Sequence, residues 1–192
     1  MKSNEEIKIW LKENLDEERY SHSLGVADCA KELAIKYNLD AKKAYLAGLL
    51  HDCAKCQTNE NLKNILETKM NCNMEELLNP KTYHSPAGAY FAKEIFGVED
   101  EEILNAIYCH TVGKINMTTF EKIIFLADKI EPNTRDKTWR EKILKIIEED
   151  NGLNKALFAC YEYTIKSLVE RRLKICLTTI QIYNELLDNI YA

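Results

Sequence analysis

Proline and glycine are scarce in this chain, and it has no long apolar segment. Its 192 residues include three prolines and six glycines, which argues against a turn-rich β fold. No run has the length and apolar character of a membrane span, and the charged, amphipathic residues 1–15 differ from a secretory signal. We therefore expect a cytoplasmic protein with no membrane partner.

An excess of positive charge is also missing. Lysine and arginine number 26 against 31 aspartates and glutamates, which gives a formal net charge of −5. A dedicated nucleic-acid binder normally carries a basic face, so we expect no nucleic-acid partner. A phosphorylated small molecule is not excluded, because a bound metal and a few local cations can override the global balance.

The seven cysteines do not form a recognisable framework. Their odd number and scattered spacing indicate reduced thiols in a cytosolic protein. Cys53 and Cys56 make a C-x-x-C pair, but no second pair stands at the spacing of a zinc ribbon. Because buried free thiols are common, we interpret this pair as structural rather than redox-active or zinc-binding.

Helical periodicity covers nearly the whole chain and predicts a single all-α domain over residues 1–192. Asn4 is predicted to cap the first helix, and Ser85 to cap another with Pro86 in its first turn. Thr118 or Thr119 begins a later helix. Helices are predicted over about 4–15, 17–37, 41–52, 86–96, 101–110, 118–130 and 136–149, with shorter pieces between 57 and 78 and a long final stretch after 152.

All four histidines of the chain, together with two aspartates, form a pattern that suits metal binding. In chain order these residues are His22, His51, Asp52, His84, His110 and Asp128. Imidazole and carboxylate donors suit iron, manganese, cobalt and zinc. A single histidine on a helix is more often structural, so the prediction depends on the whole set.

Both aspartates come after apolar runs, Asp52 after residues 46–50 and Asp128 after residues 123–127. A carboxylate buried among such residues is costly unless it is paired or bound to an ion, which favours a metal site inside a helical bundle. Lys55 follows His51 by four residues and Asp52 by three, so the three side chains share one side of a helix. Lys55 either pairs with Asp52 or reaches a phosphate held by the metal.

The spacing of these residues resembles that of a known enzyme family. His22, then His51-Asp52 and a late Asp128, resemble the H…HD…D signature of the HD superfamily of metal-dependent phosphohydrolases. Four longer segments resemble its YqeK-type branch, which contains bacterial symmetrical diadenosine tetraphosphate hydrolases. These segments are 19–26, 47–52, 110–113 and 127–133.

The resemblance implies an HD-type helical bundle, with a motif-bearing core at about 19–135 and C-terminal helices at about 136–192. It also implies a catalytic divalent metal, with iron favoured and manganese, cobalt or zinc as alternatives. The implied metal ligands are His22, His51, Asp52 and Asp128. The remaining histidines, His84 and His110, either bind a second ion, with Asp52 bridging, or contact the substrate phosphates.

The activity implied by the resemblance is symmetrical cleavage of diadenosine tetraphosphate into two ADP molecules. The implied catalytic residues are Asp52, Lys55, His84 and His110. The implied substrate-binding residues are Arg19, Lys55, His84, His110, Thr111 and Arg135. Alternatives are another HD-type nucleotide phosphatase or phosphodiesterase, an oxygenase, or a non-catalytic nucleotide-binding module. The expected partner is a small nucleotide, and the apolar C-terminal helix offers a surface for a homodimer.

Three departures from the family pattern stand out. Val112 replaces the second threonine of His-Thr-Thr-Gly, which removes one hydroxyl. Thr134 displaces the arginine that usually follows Glu-Pro-Asn, so Arg135 becomes the predicted phosphate contact. The stretch 175–177 lacks the proline of the family's Ile-His-Pro, which removes the signal for a break between helices.

No glycine-rich phosphate loop shows how the ends of a dinucleotide would be held. Tyr20, Tyr83 and Tyr108 lie near motif residues and are candidates for stacking on a base. Tyrosines at such positions are more often part of the core.

Overall fold

The structure, a computed structural model, describes residues 1–70, 72 and 79–191. Within these ranges the chain forms ten α-helices, two short 3-10 helices and no β-strand, so the all-α prediction is confirmed. The α-helices are α1 (Asn4–Asn14), α2 (Glu17–Lys36), α3 (Ala41–Leu50), α4 (Asn59–Thr68), α5 (His84–Glu94), α6 (Glu101–Cys109), α7 (Thr119–Ile130), α8 (Lys137–Ile147), α9 (Gly152–Glu170) and α10 (Leu177–Tyr191). The 3-10 helices are Cys53–Cys56 and Pro80–Thr82. The predicted helical pieces beyond residue 70 lie largely outside the described residues.

Side-chain caps fix where several helices begin. Ser3, rather than the predicted Asn4, caps α1, because its hydroxyl accepts from the Glu6 backbone N–H while the Glu6 carboxylate accepts from the Ser3 N–H. The same reciprocal arrangement between Thr118 and Glu121 begins α7. One of the two starts predicted for this helix is therefore confirmed.

The predicted cap at Ser85 is wrong. Helix α5 begins one residue earlier, at His84, without a side-chain cap. The Ser85 hydroxyl instead donates to the backbone carbonyls of Ile107, at 3.3 Å, and Tyr108, at 2.6 Å. Its side chain therefore joins α5, which begins with His84, to α6, which His110 directly follows.

The long C-terminal helical stretch is interrupted. Helix α9 ends at Glu170 and α10 begins at Leu177. Between them Arg172 adopts a left-handed conformation with φ of 54°, and the Leu173 N–H donates back to the Leu168 carbonyl at 2.9 Å. This turn uses neither glycine nor proline, so composition carried no signal for it.

Helices α2 and α3 approach each other closely at Gly48. A Cβ atom added at Gly48 would lie 2.9 Å from the Ala27 Cα and 2.9 Å from the Val26 carbonyl oxygen, so any side chain there would collide with backbone. Helix α2 also packs against α7, and α6 packs against both α5 and α7. The inward faces of these helices therefore meet in the buried interior.

The C-terminal helices cover one side of this core. Helix α9 packs on α7 and α8, and α10 packs on α9. The Tyr161 ring stacks on Phe125 with centroids 5.2 Å apart, and its hydroxyl donates to the Val112 carbonyl at 2.8 Å. Over the part of the chain that the structure describes, we find no helix with both the length and the apolar character needed to cross a membrane.

Candidate metal centre

Five separate parts of the chain bring imidazole and carboxylate groups into the interior. Helix α2 carries the first histidine, and the segment after α3 carries the His51-Asp52 pair. Helix α5 begins with the third histidine, and the fourth follows α6. Helix α7 supplies an aspartate. The six residues that the sequence pattern predicted for metal binding are all buried, each at most 6% exposed: His22, His51, Asp52, His84, His110 and Asp128.

One group of donor atoms forms around His22. Its Nε2 atom lies 3.0 Å from Asp128 Oδ1 and 3.2 Å from His51 Nε2. The His51 Nε2 atom is 3.5 Å from Asp52 Oδ2. Ligands on one ion with bonds of about 2.0–2.2 Å are roughly 3–4 Å apart, so these spacings are those of a coordination shell. The structure thus brings together the four residues predicted as metal ligands.

A second group forms on the other oxygen of Asp52. The Oδ1 atom lies 3.4 Å from His84 Nε2 and 3.5 Å from His110 Nε2, and the two imidazole nitrogens are 3.2 Å apart. Thr111 Oγ1 is 3.0 Å from His84 Nε2. Asp52 therefore faces both groups. His22, His51 and Asp52 have the composition and spacing of a metal site, and so do Asp52, His84 and His110.

In two of the histidines, a hydrogen bond at Nδ1 determines that Nε2 faces the centre of the site. The Nδ1–H groups of His51 and His110 donate to the backbone carbonyls of Gly48, at 2.6 Å, and Ile107, at 2.7 Å. A carbonyl can only accept, so Nδ1 must carry the proton. In the neutral ring Nε2 then presents a lone pair to the acidic groups, the orientation that a metal ligand needs.

The Asp52 carboxylate is a buried group that lacks a complete set of donors. Within the described residues neither of its oxygens has a hydrogen bond of acceptable geometry. The Lys55 ammonium lies 3.0 Å from Oδ2, whereas Oδ1 faces the Nε2 atoms of His84, at 3.4 Å, and His110, at 3.5 Å. A buried carboxylate that lacks hydrogen bonds is costly, and a divalent cation would offset that cost. The residues of this site therefore fit a divalent metal.

The two buried aspartates are held in their ionised form. Burial alone would raise the pKa of Asp52, but the neighbouring His51 ring and the Lys55 ammonium outweigh burial and hold that pKa well below its usual value. Burial acts in the same way on Asp128, and the ammonium of Lys129 outweighs it, so the pKa of Asp128 is also lowered. Both groups are therefore anionic at neutral pH, as metal ligands must be.

The histidines divide into two kinds. Burial lowers the pKa of His51 to about 3 and that of His84 to about 2, so both rings are neutral at physiological pH. Burial also lowers the pKa of His22, but hydrogen bonds to Asp128 and Glu131 outweigh burial and raise it. At His22 the neighbouring carboxylates therefore outweigh burial.

Glu131 is a site residue that the sequence predicted only as part of a helix stop. Its carboxylate is fully buried and accepts from His22 Nδ1–H at 3.0 Å, from the Asn133 N–H at 2.6 Å and from the Thr134 N–H at 2.9 Å. Gly25 leaves room for it, because a Cβ there would collide with Glu131 Oε2. The available signal was an acid three residues after Asp128, at the end of an apolar helix.

Basic side chains stand beside the donor groups. Arg19 Nη1 lies 3.9 Å from Asp52 Oδ2, and Arg135 donates from Nη2 to Asp128 Oδ1 at 2.8 Å and from Nε to the Asp128 carbonyl at 2.7 Å. With Lys55 they line a cavity of about 340 Å³ that opens over His22 and Asp52. The basic substrate-binding residues predicted from the sequence therefore border one space.

Residues 19–133 match a protein family described as HD domain. The chain is 38% identical to the symmetrical bis(5'-nucleosyl)-tetraphosphatase of Bacillus subtilis (strain 168) over 187 residues, which cover 97% of this chain and 98% of the relative. It is also 38% identical to the protein of the same name from Halalkalibacterium halodurans over 177 residues, covering 92% and 93% of the two chains.

The fold also matches a solved structure. A crystal structure described as a predicted HD superfamily hydrolase involved in NAD metabolism, from Clostridium acetobutylicum, superimposes with a TM-score of 0.91 at 40% sequence identity. The match covers 98% of this chain and 99% of the other. The helical bundle expected from the sequence is therefore confirmed.

Proposed function

The chain belongs to the HD domain family, and on that basis we propose that it is a metal-dependent hydrolase that cleaves diadenosine tetraphosphate symmetrically into two ADP molecules. The observation that carries this proposal is the carboxylate of Asp52, buried between two donor groups and flanked by cations. Relatives that match over nearly their full length bear the name of this activity. Both observations support the same reaction.

We propose His22, His51, Asp52 and Asp128 as ligands of the catalytic ion, with iron favoured. A bound divalent ion would supply a water of lowered pKa near neutral pH and would neutralise charge on the phosphoryl oxygens. His84 and His110 would hold a second ion or contact the phosphates themselves. The shared position of Asp52 supports the first alternative, since its Oδ1 atom faces both rings.

Cations of the chain would bind the polyphosphate. The Lys55 ammonium borders the cavity 3.0 Å from Asp52, close enough to contact a phosphoryl oxygen held beside that residue. Arg135 has five N–H donors, and its contacts with Asp128 use those on Nε and Nη2, so its Nη1 donors remain for a phosphate. Arg19, which is half-exposed, completes the basic rim.

The leaving group makes few demands on the protein. Cleavage at the centre of a tetraphosphate releases a nucleoside diphosphate, which is weakly basic and needs no strong general acid. The chain must therefore position the phosphates and stabilise charge, which the cations and imidazoles around Asp52 can do. Thr111, beside His84, adds a hydroxyl donor.

The test combines elemental analysis with product identification. Purified protein should contain a divalent metal and should convert diadenosine tetraphosphate to ADP alone, as resolved by chromatography. Asp52→Ala should lose both metal and turnover, whereas Asp188→Ala, at an exposed position on α10, should keep both. Release of AMP with ATP, or of free phosphate, would refute the symmetrical reaction, and full activity in Asp52→Ala would refute the mechanism.

A further inference from the structure

A second cavity adjoins the metal centre. It has a volume of about 540 Å³ and lies among α7, α8 and α9, where Trp139, Tyr163 and Lys142 line it. We call this space the aromatic groove. Its size falls within the range of small-molecule binding sites, and the predicted functional residues of the sequence include only one of its lining residues, Arg135.

The groove holds an aromatic pair, the partly buried Trp139 and the exposed Tyr163. The ring centroids of Trp139 and Tyr163 are 4.9 Å apart with an angle of 37° between the ring planes. Tyr163 is 62% exposed, and Lys142 Nζ lies 5.6 Å from the centre of the Trp139 ring. An exposed aromatic ring with a cation beside its neighbour provides a stacking surface for a nucleobase.

Two side chains connect the groove to the metal centre. Lys129 and Arg135 both line the groove, and both pair with Asp128, at 2.5 Å from Oδ2 and 2.8 Å from Oδ1. Arg135 also lines the polar cavity over Asp52. A ligand with its phosphates in the polar cavity can therefore extend past Arg135 into the groove without leaving the protein surface.

The charges around the groove suit the same ligand. Three basic residues, Lys129, Arg135 and Lys142, line the groove together with one acid, Asp136, whose side chain caps α8. Lys129 and Arg135 also pair with Asp128, at the edge of the metal centre. The basic residues nearest the metal centre would meet phosphate, and the aromatic pair further along α8 and α9 would meet an uncharged ring. This order matches that of a nucleotide.

We propose that the aromatic groove binds the purine base of one nucleoside end of the substrate, stacked against Trp139 and Tyr163. This proposal rests on the proposed function, because it assigns a subsite to the same nucleotide. It gives the chain a means of distinguishing a nucleoside polyphosphate from an inorganic one. Tyr163 and Trp139 would then determine affinity for the base, whereas Lys55 and the metal ligands act on the phosphates.

The experiment compares Tyr163→Ala and Trp139→Ala with Tyr191→Ala, a control at a tyrosine that is 73% exposed on α10. For diadenosine tetraphosphate, KM should rise roughly fivefold to a hundredfold in the two groove variants, the loss expected for one stacked base, with kcat and metal content near wild type. Inhibition by ADP should weaken similarly. Inhibition by inorganic tripolyphosphate, which has no base, should be unchanged.

Tryptophan fluorescence gives a readout independent of turnover. The chain has two tryptophans, and Trp10 packs against Phe96, away from the groove. ADP should therefore quench wild-type emission, and this response should disappear in Trp139→Phe. Tyr163 is exposed, so its variant should fold normally even if a Trp139 variant does not.

The outcomes separate the two proposals. An active wild type whose groove variants keep their KM and ADP inhibition would overturn the base subsite and leave the proposed function standing. An inactive wild type would refute the proposed function, and ADP-dependent quenching of Trp139 would still support the groove. Loss of self-association in Tyr163→Ala, with unchanged ADP binding, would overturn the subsite and identify the groove as an interface between copies of this chain.

Discussion

His22 and Glu131 are joined by a buried hydrogen bond of 3.0 Å between residues 109 positions apart in the chain. The bond engages Nδ1 and so turns Nε2 toward Asp128 and His51. A carboxylate behind a metal-binding imidazole fixes its ring orientation and increases its basicity. Glu131 is in turn held by the backbone N–H groups of Asn133 and Thr134.

We therefore expect Glu131→Ala to weaken metal binding roughly 10–100-fold, the effect typical of losing such a supporting group. Glu131→Gln retains an acceptor oxygen and should lose less. Affinity can be measured by competition with a chromophoric chelator. The control is Glu170→Gln, at an exposed position, and equal affinities in all three variants would contradict a positioning role for Glu131.

Lys55→Ala should lower kcat while the metal is retained. Lys55 contacts the Asp52 carboxylate from the cavity side, so its removal would take away the cation proposed to bind phosphate without removing a proposed metal ligand. Loss of one preorganised charge contact typically costs about 10²–10³ in kcat. Lys63→Ala, on the exposed side of α4, is the matched control. A Lys55→Ala protein that turns over normally would exclude Lys55 from the reaction.

Gly48→Ala should destabilise the protein. The added methyl group would meet the backbone at Val26 and Ala27 at 2.9 Å, so α2 and α3 would have to separate. Such overpacking costs about 1–3 kcal/mol in the free energy of unfolding. Urea denaturation followed by circular dichroism measures the change, with Lys31→Ala on the exposed face of α2 as the control. Unchanged stability would mean that the helices are not in close contact.

The cysteines should react in two classes. Burial raises the pKa of Cys29, Cys109 and Cys160 to about 12, and it raises that of Cys53 as well. The thiolate is the reactive form, so these thiols should resist a disulfide reagent at pH 8 in native protein. The half-buried Cys56, Cys72 and Cys176 should label. Absorbance should report three thiols in the folded state and seven after denaturation, and rapid labelling of all seven in native protein would contradict the structure.

Much of the helical fold and of the candidate metal centre could be predicted because both leave local patterns in the sequence. Histidine and aspartate residues at the ends of apolar segments predicted that several helices would direct metal-binding groups inward. The buried positions of His51 and Asp128 agree with that prediction. Iron as the metal, and a homodimer through the C-terminal helix, stay predictions.

The remaining features depend on tertiary proximity. Nothing near Glu131 in the sequence indicates that His22 will lie against it. Ser85 matched the pattern of a helix cap, but its hydroxyl donates to a backbone carbonyl on another helix. Of the tyrosines considered for stacking, Tyr83 lies in the core. The exposed ring in the groove is Tyr163, which is distant in sequence from every motif.

Asp52 presents one oxygen to each cluster of imidazoles, so one side chain serves both. Replacing it would disable the two clusters together, whereas replacing His84 or His110 would leave the cluster around His22 complete. A substitution at Asp52 would therefore affect both clusters, whereas a substitution at one of these histidines would affect only one. Graded loss of function can be engineered at the histidines but not at the acid that they share.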